Sequence, residues 1–174
     1  MRTFISIDLP EEVKKEVKKI QDKLPEFDGK KAELENLHLT LKFLGEIDDD
    51  KVEEVKERLN KIKFGKFPVA MDRIGVFSDN FVKIIWLHLN GCNELQKEID
   101  KRLKGLFEPE KRFMSHLTIA RVKSVKNKKE FLEKLKRIKI PTMKFIIDKF
   151  KLKKSILNPE APIYEDIEVY DLGK

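Results

Sequence analysis

A chain of 174 residues has the length of one domain with a real hydrophobic core. Lys and Arg number 38 against 31 Asp and Glu, so the net charge is +7, which favours an anionic partner such as RNA or a nucleotide. The single cysteine excludes a disulfide framework and a multi-cysteine metal site, and no apolar stretch is long enough for a membrane helix or a signal peptide.

Strand and helix patterns alternate along the chain. Alternation over residues 2–8 predicts a strand, and apolar residues at helical spacing between Val13 and Leu24 predict a helix. Residues 26–36 are polar and give no clear assignment. The patterns then predict a strand at 37–44, a helix between 48 and 62, strands at 67–77 and 81–89, a helix between 95 and 106, a strand at 113–122, a helix at 128–138, and strands at 144–156 and 163–172.

This order, β-α-β-α-β-β-α-β-α-β-β, favours an α+β fold over a parallel α/β sheet. Two pairs of strands are joined by short turns, at residues 78–80 and 158–159, which indicates antiparallel pairing. No linker rich in Gly, Ser or Pro divides the sequence, so residues 1–174 are expected to form a single domain.

One short motif occurs twice, as His-Leu-Thr-Leu at residues 38–41 and as His-Leu-Thr-Ile at 116–119. Each copy lies in a predicted strand and is followed by a helix and two further strands. Because side chains alternate along a strand, His38 and Thr40 share one face, and so do His116 and Thr118. The chain has only three His and four Thr, so two such pairs indicate an internal duplication.

Two imidazoles and two hydroxyls in one cleft suit phosphodiester chemistry. A neutral imidazole can accept a proton from the nucleophile, an imidazolium can donate one to the leaving oxygen, and the hydroxyls can bind the phosphate oxygens. No metal, cofactor or covalent intermediate is needed, and none is predicted. Two alternatives stay open at this point: polar residues alternating with Leu also mark the wet face of a half-buried sheet, and two His can ligate a metal.

The segments LHLTLKFLGE and SHLTIARVK, together with the opening MRTFISIDLP, resemble the 2H phosphoesterase superfamily. Within it, the sequence is similar nearly from end to end to the RNA 2′,3′-cyclic phosphodiesterases, also called 2′-5′ RNA ligases. The resemblance implies a two-lobed fold with pseudo-twofold duplication, in which two antiparallel sheets face a central groove and helices pack outside. It also implies hydrolysis of a terminal 2′,3′-cyclic phosphodiester on RNA to a 2′-phosphomonoester.

The same resemblance implies roles for the motif residues. His38 is expected to donate a proton to the leaving ribose oxygen, and His116 is expected to accept one from the attacking water. Thr40 and Thr118 are expected to hold the phosphate. The residues alone do not separate acid from base, because the two motifs are nearly equivalent.

Two further positions match the family with an unusual spacing. Phe43 matches an aromatic residue that stacks on the nucleobase, and Arg121 matches a basic residue that contacts the phosphate. Each lies five residues past a His, so strict alternation turns it away from the site unless a bulge or strand end re-aims it. Core packing is the alternative for Phe43, and a solvated charge is the alternative for Arg121. Alternation places Lys42 on the His38 face. There it either attracts RNA phosphate or packs its aliphatic stem along the surface with the ammonium group in water.

Several other features are predicted to play no part in catalysis. Ser115 stands where relatives often have Pro, which changes the entry to the strand and leaves the donors and acceptors intact. His88 is followed by Asn90 rather than by Thr, and Cys92 has no catalytic partner in view. The Lys-rich residues 123–136 form either a solvated helix face or a track for an RNA backbone.

Three functions compete at the level of sequence. Hydrolysis of the cyclic phosphate is the first, and its reverse, the joining of a cyclic end to a 5′-hydroxyl end in a 2′-5′ linkage, is the second. The third is a non-catalytic module that binds RNA or a nucleotide, and the two intact His-Thr pairs count against it. We expect a cytoplasmic monomer that acts on RNA or an oligonucleotide with a 2′,3′-cyclic phosphate end and does not associate with membranes.

Overall fold

This computed structural model describes residues 1–173. They contain nine strands and four helices. None of these helices is long and apolar enough to cross a membrane. A single turn of 3-10 helix, Leu34–Asn36, lies directly before β3. The elements are β1 (Arg2–Asp8), α1 (Glu11–Asp22), β2 (Asp28–Lys31), β3 (His38–Glu46), α2 (Asp49–Leu59), β4 (Phe67–Val76), β5 (Ile84–Asn90), α3 (Asn93–Arg102), β6 (His116–Ser124), α4 (Lys128–Lys136), β7 (Met143–Ile147), β8 (Lys149–Ile156) and β9 (Ile163–Asp171).

The strands form two sheets in which every neighbouring pair is antiparallel. The first sheet has the order β3-β1-β8-β9, and the second has the order β2-β6-β5-β4-β7. The two motif strands have equivalent partners. β3 pairs with β1, which precedes α1, and β6 pairs with β5, which precedes α3. The duplication read from the sequence therefore appears as one motif strand in each sheet, and the α+β fold with two antiparallel sheets is confirmed.

The chain crosses between the two sheets more than once. β4 follows α2 and the motif strand of the first sheet, yet it joins the second sheet beside β5. Conversely, β8 follows α4 and the motif strand of the second sheet, yet it joins the first sheet beside β1. Buried aliphatic side chains of both sheets, such as Ile5, Leu39, Leu87 and Leu117, belong to one continuous core.

The helices that follow the two motif strands begin in the same way. The Asp48 carboxylate accepts a hydrogen bond from the backbone N–H of Lys51 at 2.8 Å and caps α2. The Asn127 side chain accepts one from the N–H of Glu130 at 3.1 Å and caps α4. Each cap satisfies an N–H group that the first helical turn leaves without a partner, so both motif strands lead into a helix with a defined start.

The strand predicted at residues 144–156 is two strands that lie in different sheets. β7 pairs with β4, β8 pairs with β1, and Asp148 separates them. The buried residues change parity at the break, from Phe145 and Ile147 in β7 to Phe150 and Leu152 in β8. A continuous strand cannot keep both pairs on one face, so the alternation itself records the crossing.

The helices predicted between 48 and 62 and between 95 and 106 end earlier, at Leu59 and Arg102, and two strand starts and one whole strand also differ from the prediction. The strands predicted at 81–89 and 113–122 begin only at Ile84 and His116. The unassigned residues 26–36 contain β2, whose side chains are all exposed and which is held by backbone pairing with β6. At Gly29 the two strands come so close that a Cβ would collide with the carbonyl oxygen of Arg121. An apolar pattern cannot reveal a strand that buries no side chain.

Candidate active site

The two His-x-Thr motifs open β3 and β6, and the two strands are buried in the same pattern. At each of the nine positions, the degree of exposure in β3 matches that in β6. The His and Thr side chains are half-buried, and the aliphatic residues between them lie in the core. The two strands therefore present equivalent positions to equivalent surroundings.

Each imidazole is held by a hydrogen bond to the backbone two residues before it. His38 Nδ1 lies 2.8 Å from the carbonyl oxygen of Asn36, and His116 Nδ1 lies 2.8 Å from that of Met114. A carbonyl oxygen only accepts hydrogen bonds, so Nδ1 must carry a hydrogen in both rings. Nε2 is then the atom that gains or loses a proton, and this arrangement is the one that a general acid or base requires.

A bulge in β3 follows the His-x-Thr motif directly. The pairing with β1 skips Leu41 between Thr40 and Lys42, which reverses the alternation of side chains at Lys42 and Phe43. Phe43 therefore lies on the face of His38 and Thr40, with 67% of its surface exposed. The bulge that the family match required at this position is present.

β6 contains the same bulge at the equivalent position. The pairing with β5 skips Ile119 between Thr118 and Ala120. Arg121 consequently lies on the face of His116 and Thr118 and is exposed. Each motif strand thus presents three side chains to one face, and they are the three that the sequence singled out.

The faces of the two motif strands lie close together. β3 and β6 are in contact across the boundary between the sheets. The charge of Arg121 on β6 is close enough to act on the imidazole of His38 on β3. The turn between β8 and β9 also spans the boundary: the carbonyl of Glu160 accepts a hydrogen bond from Lys30 at 3.1 Å, and that of Pro162 accepts one from Asn36 at 3.3 Å. The structure therefore brings all six predicted site residues to one region.

Aromatic rings contact both imidazoles. The centroid of the His38 ring lies 5.1 Å from that of Phe4 and 5.0 Å from that of Tyr164, which meets it edge to face. The centroid of His116 lies 5.0 Å from that of Phe77, and the two rings are perpendicular. These contacts limit rotation of the imidazoles and reduce their contact with water.

His88 lies beside His116, a position that the sequence analysis did not predict. The two residues are direct partners in the pairing of β5 with β6, so their side chains share one face. His88 Nδ1 lies 2.7 Å from a carboxylate oxygen of Asp72. On β1, the residue directly opposite His38 is Asp8. His88 therefore occupies the place in the second sheet that Asp8 occupies in the first.

Two surface clefts lie away from this region. They have volumes of about 520 and 540 Å³, lie beside α3 and at the start of α4, and include neither His38 nor His116. Within residues 1–173, no three His, Cys, Asp or Glu side chains are grouped so as to hold a metal ion.

Comparison with known proteins identifies the family. The chain matches the model of the LigT-like phosphoesterases over residues 7–86 and 89–164. It belongs to this family. Among curated proteins, this LigT-like phosphoesterase is 38% identical to the RNA 2′,3′-cyclic phosphodiesterase of Methanocaldococcus jannaschii, over 97% of this chain and 99% of the relative. It is 34% identical to the protein of the same name from Archaeoglobus fulgidus, over 98% of this chain and 100% of the relative.

Solved structures share the fold of this LigT-like phosphoesterase. Escherichia coli LigT in complex with 3′-AMP superposes with a TM-score of 0.80 at 23% identity, over 99% of this chain and 98% of that one. A protein of Thermus thermophilus also gives a TM-score of 0.80, at 24% identity, over 98% of this chain and 97% of that one. The two-lobed arrangement implied by the resemblance is thereby confirmed.

Burial and several charged side chains act on the pKa of His38. Burial lowers the pKa of His38, the fields of Lys153 and Arg121 lower it further, and the bond to Asn36 and the charge of Asp8 oppose the shift. Burial alone would raise the pKa of Asp8, but hydrogen bonds from Lys151 and Lys153, at 2.7 and 2.6 Å, outweigh it and lower this pKa. Asp8 is therefore a carboxylate beside His38 at neutral pH.

Lys42 corrects one prediction of the sequence analysis. Because of the bulge, its side chain does not lie on the His38 face but on the opposite side, next to Ile5, and is only 2% exposed. Lys42 Nζ donates at 2.7 Å to an Asp100 carboxylate oxygen, at 2.7 Å to the carbonyl of Glu108 and at 3.3 Å to Glu110. All three ammonium hydrogens have acceptors, which is what a buried Lys needs.

This buried ion cluster connects the two motif strands. Lys42 belongs to β3, whereas Glu108 and Glu110 belong to the segment that leads from α3 to His116 at the start of β6. The second oxygen of Asp100 accepts from Gln96 at 3.0 Å and from the backbone N–H of Glu110 at 2.9 Å. Lys42 therefore fixes the approach to β6 from the face of β3 opposite His38.

Replacing Lys42 by Met should destabilise the protein considerably. The substitution leaves the buried Asp100 carboxylate with two donors and no cation, so we expect a loss of about 3 kcal/mol in the free energy of unfolding. Guanidinium denaturation followed by circular dichroism measures it. Lys154→Met, which removes a partly exposed Lys paired with Glu165 on the surface, is the control and should cost less than about 1 kcal/mol. Equal effects of the two substitutions would refute the role of the cluster.

Substitution of Asp8 by Asn should lower the pKa of His38 further. In the native protein this pKa already lies below the ordinary value of 6.5, and the Asp8 carboxylate is one of the groups that hold it up. Its loss removes the only attractive side-chain charge among these influences, so the imidazolium should persist only to a lower pH. The ring proton signals of His38, followed by NMR as the pH is raised, report the midpoint. Glu165→Gln is the control for charge on the same sheet, and an unchanged or raised midpoint in Asp8→Asn would contradict the assignment.

Proposed function

We propose that this LigT-like phosphoesterase hydrolyses the terminal 2′,3′-cyclic phosphodiester of RNA to a 2′-phosphomonoester. The observation that carries the proposal is the pair of equivalent strands, each presenting an imidazole whose Nδ1 is bound to its own backbone and whose Nε2 is left to exchange protons. Curated relatives at 38% and 34% identity over nearly the whole chain bear the name RNA 2′,3′-cyclic phosphodiesterase. The net charge of +7 suits an RNA substrate.

In the proposed reaction, the two histidines act on opposite sides of the phosphorus. His116 Nε2 accepts a proton from water, and the water oxygen forms a bond to phosphorus. The bond from phosphorus to the ribose 3′-oxygen breaks, and that oxygen takes the proton of His38 Nε2. The 2′-phosphate remains, and protons and charge balance without a metal, a cofactor or a covalent intermediate.

The lowered pKa of His38 bears directly on its proposed role as proton donor. In the free protein, burial shifts the ring further towards its neutral form near pH 7. A bound phosphodiester brings a negative charge that favours the imidazolium, and Asp8 acts in the same direction. We propose that substrate binding itself protonates His38, so that the acid forms only where a phosphate is present.

The other four site residues are proposed to bind the substrate. The hydroxyls of Thr40 and Thr118 donate hydrogen bonds to the non-bridging phosphate oxygens, and Arg121 neutralises their charge. Phe43, which is 67% exposed on the His38 face, stacks on the base of the terminal nucleotide.

We also propose that the protein works as a single domain of two intertwined lobes and as a monomer in the cytoplasm. One chain supplies both histidines, and strands of each half complete the sheet of the other half around a common core. Cys92 is a free, buried thiol, and burial raises its pKa to about 11, so it stays protonated and unreactive at neutral pH. A single unpaired cysteine fits a reducing compartment.

Single and double substitutions of the histidines test the mechanism. His38→Ala and His116→Ala should each lose most of the hydrolysis of 2′,3′-cyclic AMP, because each removes one of two linked proton transfers. The double variant should be little slower than either single one, since groups that act as a unit are not additive. The wild-type kcat/KM should be bell-shaped between pH 5 and 9.

His88→Ala is the comparison variant for this experiment. It removes the third imidazole of the chain and leaves both proton-transfer groups in place, so its loss of activity should be much smaller. Strong activity in His38→Ala or in His116→Ala would refute the proposed function. A double variant whose loss equals the product of the two single losses would refute the joint action of the two rings.

A further inference from the structure

Phe77 is an exposed aromatic residue that the proposed reaction does not use. It follows the last residue of β4, and 55% of its surface is exposed. Its ring nevertheless has a fixed place, because its centroid lies 5.0 Å from that of His116 and 5.8 Å from that of Trp86. Trp86 pairs with Thr118 and shares its face, so Phe77 lies over the His116 side of the site. One side of the Phe77 ring is therefore anchored at the site, and the remainder is open.

The first sheet offers a comparable ring on the His38 side. Phe43 lies on the face of His38, and both rings contact Phe4, with centroid distances of 6.2 Å for Phe43 and 5.1 Å for His38. Each imidazole thus has one largely exposed phenyl ring nearby, and the two rings come from different sheets. An exposed phenyl ring beside a phosphate site is a stacking surface for a base, because every base has a flat π-face.

The geometry of displacement at phosphorus assigns different ligands to the two rings. The attacking and leaving oxygens lie roughly in line on opposite sides of the phosphorus. If His38 serves the leaving 3′-oxygen, the nucleoside with the cyclic phosphate lies on the Phe43 side. The oxygen that enters at His116 then lies on the Phe77 side. Water needs no stacking surface, whereas a 5′-hydroxyl belongs to a nucleoside that carries a base.

We propose that Phe77 and His116 form a second nucleoside subsite, which binds the nucleoside carrying the 5′-oxygen and stacks its base on Phe77. This proposal rests on the proposed function, since it uses the same two histidines in the same roles. In the joining direction, the 5′-hydroxyl gives its proton to His116 Nε2 and its oxygen bonds to phosphorus. The bond to the 3′-oxygen breaks, that oxygen takes the proton of His38 Nε2, and a 2′-5′ linkage results. Cleavage of a 2′-5′ linkage is the same path in reverse.

A two-base ligand that cannot react tests the subsite by equilibrium binding. The probe is 3′-deoxyadenosine joined by a 2′-5′ phosphodiester to 2-aminopurine riboside. It lacks the 3′-hydroxyl that would attack phosphorus, and its second base is fluorescent and is quenched by stacking. The variants are Phe77→Leu, which keeps an apolar contact with His116, and Phe77→Trp, which keeps an aromatic face. Phe81→Leu is the matched control, because Phe81 lies in the same turn and is 72% exposed.

The wild-type protein, Phe77→Trp and Phe81→Leu should all quench the probe on binding. Phe77→Leu should quench it much less and bind it about ten-fold more weakly, which is the usual size of one lost base–aromatic stack. The loss of affinity for 2′-AMP, which has no second base, should be several-fold smaller than the loss for the two-base probe.

Equal losses for the two ligands in Phe77→Leu would overturn the proposal, because they would mean that the ring only supports His116. Full quenching in Phe77→Leu, or an equal effect of Phe81→Leu, would overturn it as well. Hydrolysis of 2′,3′-cyclic AMP by the wild-type protein tests the proposed function separately, since that substrate has no second base. Failure of hydrolysis is therefore distinguishable from failure of the subsite.

Discussion

The slip of one residue in the pairing of each motif strand is the constraint on which the site depends. In a regular strand, only alternate residues reach one face, so a His, a Thr and the residue five positions after the His cannot lie together. Skipping Leu41 in β3 and Ile119 in β6 removes this limit. The same two bulges keep the aliphatic residues of each strand in the core. Each bulge therefore allows one strand to contribute both to the core and to the site.

The duplicated frame carries different charges in its two halves. Beside His38, the neighbouring strand places Asp8, which is bound to Lys151 and Lys153. Beside His116, the equivalent place holds His88, which is bound to Asp72. The backbone geometry makes the two imidazoles equivalent, and these neighbours make them different. In the proposed mechanism, an acid and a base arise from two copies of one motif because the neighbouring strands have diverged.

The sequence predicted the parts of the structure that depend on local patterns. Alternation located β1, β3 and β9 closely. The repeat of His-x-Thr gave four of the six site residues that the structure brings to one region, and the family resemblance gave the other two, Phe43 and Arg121. The break at Asp148 was harder to predict, because Ile146 is apolar and has the same parity as Phe150 and Leu152. Only the structure shows that Ile146 is exposed and that Phe145 and Ile147 are the buried residues of β7.

Features that depend on partners distant in the chain could not be predicted. β2 buries no side chain and exists because β6 lies beside it. Lys42 is inside because the bulge turns it there and Asp100, 58 residues away, receives its charge. His88 lies beside His116 because β5 pairs with β6. Its local sequence, with Asn90 two residues later, does not reveal this neighbour.

The central claim of the proposed mechanism is that two imidazoles catalyse the reaction without a metal and that His38 protonates the leaving 3′-oxygen. The direct test is to incubate the wild-type protein, in EDTA, with 5′-labelled RNA that ends in a 2′,3′-cyclic phosphate, and to separate the 2′-phosphate from the 3′-phosphate product. We expect undiminished turnover and the 2′-phosphate alone. A 3′-phosphate product, or turnover that EDTA abolishes and a divalent ion restores, would contradict the mechanism.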